Sequence, residues 1–412
     1  MQPNCESRRR ELLRNGYQCF FLLSALLCLA LPGAGQTQAP EKQQRPRRAT
    51  EATSQQSPAQ QQESQEVGED DVVRVDTQLV TVPTIVTNNL GRPVSGLAQS
   101  NFIVYENGVQ QTIANFGTTE APFEIALLLD TSGSTRADVN LIRRAARAFI
   151  QALRPGDKVA VVAFKDRTDA GTTLATVDLL SGLTDDRKAL DNAIEHLGSS
   201  NGTPFYDALE KIADEVFRTP PRKDLRGRRA VVALTDGVDS SSDSSYEEAL
   251  EKLLRAGIAG YFIQVNTEEF VEDRLLKDCQ DNGRLTLSAR QLERYRRIFV
   301  PRARSEDYAN FCQLGQFERM QISRDLYNLA RREMNDLARL SGARNFTAVD
   351  LQDARAAFAR VAADIGTQYS LGYYPTNKAR DGKYRAILVE VRGLKEKNEV
   401  HAREGYLAPK GP

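Results

Sequence analysis

Histidine is scarce in this chain, with two copies in 412 residues, His196 and His401. A serine hydrolase needs a base to activate its nucleophile. His196 falls at the end of an expected helix, where a protonated ring complements the helix dipole, and His401 lies in a C-terminal β region with no recognisable partner. An excess of charge of either sign is also missing: 55 Lys and Arg balance 55 Asp and Glu. That argues against a general nucleic-acid binder. Cysteine is sparse as well, at five, and three of these (Cys5, Cys19, Cys28) fall in the first thirty residues. The remaining two, Cys279 and Cys312, are expected to pair in an oxidising compartment, the alternative being two buried thiols. Between Gln36 and Asp71 there is no aromatic residue. That Gln-, Pro-, Ser-, Glu- and Arg-rich segment cannot offset the entropy of ordering, so 36–71 reads as a disordered stalk.

What precedes the stalk has the layout of an export signal over 1–35. Arg8, Arg9, Arg10 and Arg14 make a basic start, Cys19 to Leu31 an apolar core, and Pro32-Gly-Ala-Gly35 a small-residue cleavage region. Arg9-Arg10-Glu-Leu-Leu-Arg14 approximates a twin-arginine signal, but the apolar core favours general secretion. Either route gives an exported protein, periplasmic, in the cell envelope or extracellular. Leu27 before Cys28 argues against lipid attachment there, and an uncleaved signal would act as a membrane tether.

The most informative stretch is Phe123-Glu-Ile-Ala-Leu-Leu-Leu-Asp130-Thr-Ser132-Gly-Ser134. An apolar strand delivers one carboxylate and two hydroxyls to a single turn. Such oxygens suit Mg²⁺ or Mn²⁺, and they equally suit the cap of a following helix. Two further segments bear on that choice. Gly202-Thr203-Pro204 places a hydroxyl just before a helix opened by proline, and Ala230-Val-Val-Ala-Leu-Thr-Asp236-Gly237 is a second apolar strand ending in a carboxylate. In an open parallel α/β sheet these loops converge outside the carboxyl ends of the strands.

Asp130, Ser132, Ser134, Thr203 and Asp236, in that order and in those contexts, resemble the metal-ion-dependent adhesion site of the von Willebrand factor type A domain. With Phe102-Ile-Val-Tyr-Glu-Asn-Gly-Val-Gln-Gln before them and Gln368-Tyr-Ser-Leu-Gly-Tyr-Tyr-Pro375 after, the chain is similar to an exported bacterial von Willebrand factor A-related family often found in Acidobacteria. The resemblance implies a Rossmann-like, doubly wound, mostly parallel sheet. It also implies a site for Mg²⁺, Mn²⁺ or Ca²⁺ built from the five residues, and adhesion through a partner's Asp or Glu carboxylate.

The remaining pattern fits that architecture. Residues 72–118 and 368–408 are β-rich at the two ends, with Asn107-Gly108 a strong hairpin signal, and are expected to pair into one discontinuous β-sandwich. Strands and helices alternate over 123–366, interrupted by an Arg-rich insertion over about 266–323. Ser244-Ser-Tyr-Glu247 reads as a capping box. Asp239-Ser-Ser-Ser-Asp243 reads as a solvated loop, and Asp278-Cys-Gln-Asp-Asn282-Gly283 as a turn. Arg290, Arg294, Arg296, Arg297, Arg302 and Arg304 read as a solvated helix face.

The function expected is therefore a non-enzymatic, metal-dependent protein-binding module with no nucleic-acid partner. An aspartyl phosphatase would want a second Asp where Ser132 stands. Metal-assisted hydrolysis and a metal-independent scaffold assembled through β-edges are the rival classes.

Overall fold

The computed structural model describes residues 79–117, 122–135, 139–169, 171–219, 228–277 and 286–411. The export signal, the stalk, Cys279 and the turn at 278–283 lie outside the described residues.

The described residues open with β1 (Val80–Asn88), β2 (Phe102–Glu106), β3 (Val109–Gln111) and β4 (Ile113–Gly117). The turn between β2 and β3 is Asn107-Gly108, both at positive φ (48° and 81°). That pair of conformations matches the strand twist, and Asn-Gly reaches it at the lowest cost. An α/β region follows: β5 (Glu124–Leu129), α1 (Val139–Ala152), β6 (Lys158–Asp169), β7 (Thr172–Thr184), α2 (Arg187–Glu195), α3 (Phe205–Lys211), β8 (Arg229–Thr235), α4 (Tyr246–Ala256) and β9 (Ala259–Val265). Then come α5 (Glu268–Leu275), α6 (Ala289–Phe299), α7 (Gln316–Ser341), β10 (Asn345–Ala348) and α8 (Ala354–Thr367), and the chain ends in β11 (Tyr369–Tyr373), β12 (Tyr384–Val391), β13 (Asn398–Ala402) and β14 (Gly405–Leu407).

The central sheet has the order β10-β9-β8-β5-β6-β7 and is parallel except for β7, which pairs antiparallel with β6 at the edge. Its inner strands are apolar along their middles, with polar residues such as Glu124, Arg229 and Gln264 towards their ends, because both faces are covered. Alternation then sorts the side chains. Ile125, Leu127 and Leu129 pack with Phe149 of α1, Ile194 of α2 and Phe358 of α8, whereas Ala126 and Leu128 pack with Leu209 of α3, Leu253 of α4 and Met334 of α7. The doubly wound arrangement follows from these two half-cores.

The two ends of the chain meet in a pair of four-stranded sheets, β13-β1-β11-β4 and β14-β12-β2-β3. β1 pairs antiparallel with β11 (Val82 opposite Leu371), and β2 with β12 (Val104 opposite Val389). Val82, Val104, Leu371 and Val389 belong to one apolar cluster between the sheets. Neither end could close that core alone.

The inserted segment is helical and has a small core of its own, with Leu275, Leu292, Tyr295, Phe311, Ile322 and Leu326 clustered together. Its boundary differs from expectation. α7 starts at Gln316, inside the insertion, and runs unbroken to Ser341. One helix serves both regions: Ile322 and Leu326 face the inserted core, Met334 and Leu337 the sheet. Cys312 is disulfide-bonded.

The Arg-rich face is only partly solvated. Arg294 is largely buried, 2.6 Å from Glu333 of α7 and 4.9 Å from the centre of the Tyr206 ring on α3. It is a tie between the insertion and the sheet's helices rather than a free surface charge. Among the described residues no helix is long and apolar enough to cross a membrane.

Candidate metal centre

Three loops carry the five residues singled out above, each leaving the C-terminal edge of the central sheet or opening a helix beside it. β5 ends at Leu129, and Asp130 follows, fully buried, its N–H donating to Leu234 O of β8 at 3.0 Å. The carboxylate is fixed from both sides. Oδ1 accepts from Ser132 N at 2.9 Å and Oδ2 from the Thr235 hydroxyl at 2.5 Å. Thr135 then closes the turn by donating its hydroxyl to Asp130 O at 2.9 Å. The motif is therefore a tight carboxylate-centred turn, and its Ser134 hydroxyl is not spent on Asp130.

β8 delivers Asp236 beside it. Asp236 Oδ2 accepts from the Ser134 hydroxyl at 2.7 Å, and Oδ1 from Val238 N at 3.0 Å. Gly237 lets the chain turn here at φ +77°, and a Cβ on it would lie 2.0 Å from Met334 Sδ. The loop is thus pressed against α7 with no room for a side chain.

Thr203 joins the set through the third loop. Its N–H donates to the Ser240 hydroxyl at 2.8 Å, and Ser240 N donates back to Thr203 O at 3.1 Å. Ser200 N donates to Thr131 O at 3.1 Å, binding the same loop to the first one. Asp130, Ser134 and Asp236 are thus linked directly or through Thr235 and Ser132, while Thr203 is brought in by main-chain bonds.

Asp239 departs from the expected solvated loop. It is buried, and its Oδ2 accepts from Phe205 N at 2.9 Å and from the Ser242 hydroxyl at 2.5 Å. Pro204 offers α3 no capping side chain, so Asp239 supplies the cap from another loop. Burial raises its pKa. The capping box of α4 is also displaced by one residue, to Ser245 and Glu248. Ser244 N is taken by Asp207 Oδ1 at 2.9 Å, which leaves Ser245 N as the backbone N–H open to the glutamate of the box.

The electrostatics of the site are set by two buried acids. Burial first, and the negative charge of Asp236 second, push the Asp130 carboxyl up to about 7, against the lowering effect of the Ser132 side chain, the Thr235 hydroxyl and Ser132 N. A cation between the loops would relieve both penalties. The donor set is entirely oxygen, which suits Mg²⁺, Mn²⁺ or Ca²⁺ over softer metals. Ser132 Oγ is buried and forms no hydrogen bond of normal geometry, although it lies close enough to the Asp130 carboxylate to help lower its pKa. A buried hydroxyl so weakly satisfied, beside two buried acids, has an oxygen to offer, so the residues fit a hard cation. Among the described residues there is no group of three or more His, Cys, Asp or Glu that could hold a metal, so any such site here depends on hydroxyls.

Sequence reasoning missed Thr235, Thr267 and Tyr327. Thr235 was visible as the last strand residue before Asp236. Thr267 donates to Asp236 Oδ2 at 2.7 Å and Tyr327 lies 3.4 Å from the same oxygen, and no local pattern marks either residue.

A doubly wound, mostly parallel sheet with helices on both faces defines an α/β domain of Rossmann-like layout. Residues 125–238 match the family described as von Willebrand factor type A domain. This part of the chain is a von Willebrand type A domain.

Solved structures give low-level likenesses. Proximal thread matrix protein 1 from the mussel byssus, in its second crystal form, is 12% identical with a TM-score of 0.36, over 60% of this chain and 48% of that one. This chain thus spans about half of that protein's length. BatB of Bacteroides thetaiotaomicron, a conserved hypothetical protein, is 15% identical with a TM-score of 0.34, over 59% of this chain and 98% of that one. The SpRpn10 VWA domain is 14% identical with a TM-score of 0.31, over 57% and 93%. No curated protein sequence matches significantly.

Proposed function

We propose that this is an exported, divalent-metal-dependent protein-binding module that grips a carboxylate of its partner. The type A domain supports a protein-interaction or adhesion role. The metal dependence rests on one observation above the others, the gathering of two buried acids and the buried, weakly bonded Ser132 hydroxyl at one edge of the sheet.

Ser132, Ser134 and Thr203 would hold the cation with neutral oxygens, Asp130 and Asp236 adding charge directly or through water. Mg²⁺ or Mn²⁺ so bound supplies an electrophilic centre that favours one more anionic oxygen, from an Asp or Glu of the partner. The protein's own contribution is rigidity. Thr235, Thr135 and Ser132 N lock Asp130 in place before any ligand arrives. Ser134 stays oriented because its proton is held by Asp236.

The reading is of a binding module and not of a hydrolase. His196 is a helix-terminal residue whose Nδ1 lies 2.7 Å from Asn192 O, and His401 stands on β13 near Glu399. Neither is offered to the site as a base. Export rests on the N-terminal sequence pattern alone.

The test is a pull-down from envelope extract with immobilised protein in Mg²⁺ or Mn²⁺, against the same extract in chelator, with Asp130→Ala as control. A partner retained only with metal and only by the native protein supports the reading. Retention that persists in chelator points to a scaffold instead.

A further inference from the structure

The inserted helical segment reaches the metal centre through two side chains at its base. Thr267 follows β9 and is the residue from which α5 starts, whereas Tyr327 lies on α7 just past the insertion. The Thr267 hydroxyl donates to Asp236 Oδ2 at 2.7 Å, and the Tyr327 hydroxyl lies 2.6 Å from Thr267 Oγ1 and 3.4 Å from the same Asp236 oxygen. With Thr267 donating to the carboxylate, Tyr327 donates to Thr267.

Two features separate this arrangement from ordinary packing. Thr267 sits at the N-cap of α5 and makes no side-chain cap bond. A threonine there would ordinarily accept from the helix's own N–H groups; here its hydroxyl is turned away from its helix to the acid. Both residues are also buried, at 8% and 5% exposure, so the hydroxyls have no water to fall back on. Asp236 Oδ2 therefore receives Ser134 from the motif loop and Thr267 from one end of the insertion, while Tyr327 from the other end stands behind Thr267, 3.4 Å from the same oxygen.

We propose that Thr267 and Tyr327 are positioning residues for the metal centre, fixing the Asp236 carboxylate so that the Ser134 hydroxyl keeps its proton on Asp236 and its lone pairs free for the cation. The insertion is then mechanically joined to the site, because displacing either of its ends breaks the hydroxyl chain. This inference rests on the metal-binding reading given above. Loss of a group that orients a metal ligand from behind typically weakens the metal by about 10–100-fold.

The experiment is Mg²⁺ titration calorimetry on the full chain and on T267V, T267S and Y327F, with the thermal midpoint of each measured in chelator. T267V should bind Mg²⁺ about tenfold more weakly, T267S should return to near the native affinity, and Y327F should fall between them. Equal affinity in native protein, T267V and Y327F overturns the proposal, even if the midpoints drop, since that pattern means packing alone. If T267V does not fold, Y327F decides by the same reading. A native protein that takes up no Mg²⁺ overturns both this inference and the reading it rests on, whereas native binding with unchanged variants overturns this one only.

Discussion

The hydroxyl of Ser134 and the carboxylate of Asp236 lie 2.7 Å apart although 102 residues separate them in the chain. That bond closes the loop after β5 onto the loop after β8, strands that are neighbours in the sheet. It also brings a second buried acid close to Asp130. The site is assembled at the cost of like-charge repulsion, which a cation would remove.

Asp130→Asn separates that repulsion from metal binding. The amide keeps the shape and can still accept from Ser132 N, but it carries no charge. Mg²⁺ affinity should fall on the order of a hundredfold or more. In chelator at pH 8 the variant should be at least as stable as the native protein, because burial and Asp236 both oppose the ionised Asp130. Calorimetry and urea unfolding check the two halves. Native-like Mg²⁺ affinity in the variant would remove Asp130 from the ligand set.

Gly237→Ala should be severely destabilising for two independent reasons. Its φ of +77° is costly for any residue with a Cβ, and that Cβ would sit 2.0 Å from Met334 Sδ. The left-handed conformation costs roughly 1–2 kcal/mol and the overpacking a further 1–3 kcal/mol. Adding Met334→Ala should relieve only the steric part, so the double variant should recover some stability relative to expectation but not the backbone term. Urea midpoints of the four proteins in a double-mutant cycle would show it, and strict additivity would mean the clash is absent.

The strand-to-loop residues of the site were legible because the signal is local: an apolar strand ending in Asp130-Thr-Ser-Gly-Ser, and another ending in Asp236-Gly. The sandwich was legible for a different reason, two β-rich ends that each lacked a partner sheet. What escaped the sequence was settled by contacts across the fold. Ser244 and Ser245 both stand three residues before a glutamate, and only Asp207, by taking Ser244 N, decides between them. Asp239 looked like part of a solvated loop because the helix it caps begins 34 residues earlier in the chain. Thr267 and Tyr327 meet at Asp236 from the two sides of an insertion, a closeness that no periodicity encodes.

Asp364 gives stability a pH dependence unrelated to the metal. It lies on α8 at 1% exposure, with Arg344 3.2 Å away. Burial dominates, and the carboxyl is pushed up to about 6 despite Arg344 and Arg360. An acid with a raised native pKa binds more protons folded than unfolded, so its contribution is fully present below the unfolded value and is lost as pH rises to about 6. Asp364→Asn should therefore match the native protein near pH 4 and be more stable above pH 6, by at most about 3 kcal/mol. Unfolding curves in chelator between pH 4 and 7 measure the difference. A constant offset across that range would mean that Asp364 does not titrate there.

Arg403 joins the β-sandwich to the type A domain through carbonyl oxygens alone. Its Nε donates to Gly405 O at 3.1 Å, and its two Nη groups to Thr81 O at 3.5 Å and Leu254 O at 3.2 Å. Those acceptors lie on one strand of each sandwich sheet and on α4, so a single guanidinium spans three layers. Burial lowers its pKa, as expected for a cation with no carboxylate in its hydrogen-bond set. Gly342 presses against the same place: a Cβ there would stand 2.5 Å from Arg403 N. Lysine can replace the charge but not the planar fork. Arg403→Lys should then lose about 2 kcal/mol and Arg403→Ala about 3 kcal/mol, the latter leaving several buried carbonyls short of a donor. Differential scanning calorimetry should show a single transition in the native protein and two in Arg403→Ala, as sandwich and type A domain come apart. A lysine variant indistinguishable from native would mean that the charge, and not the geometry of the fork, holds the junction.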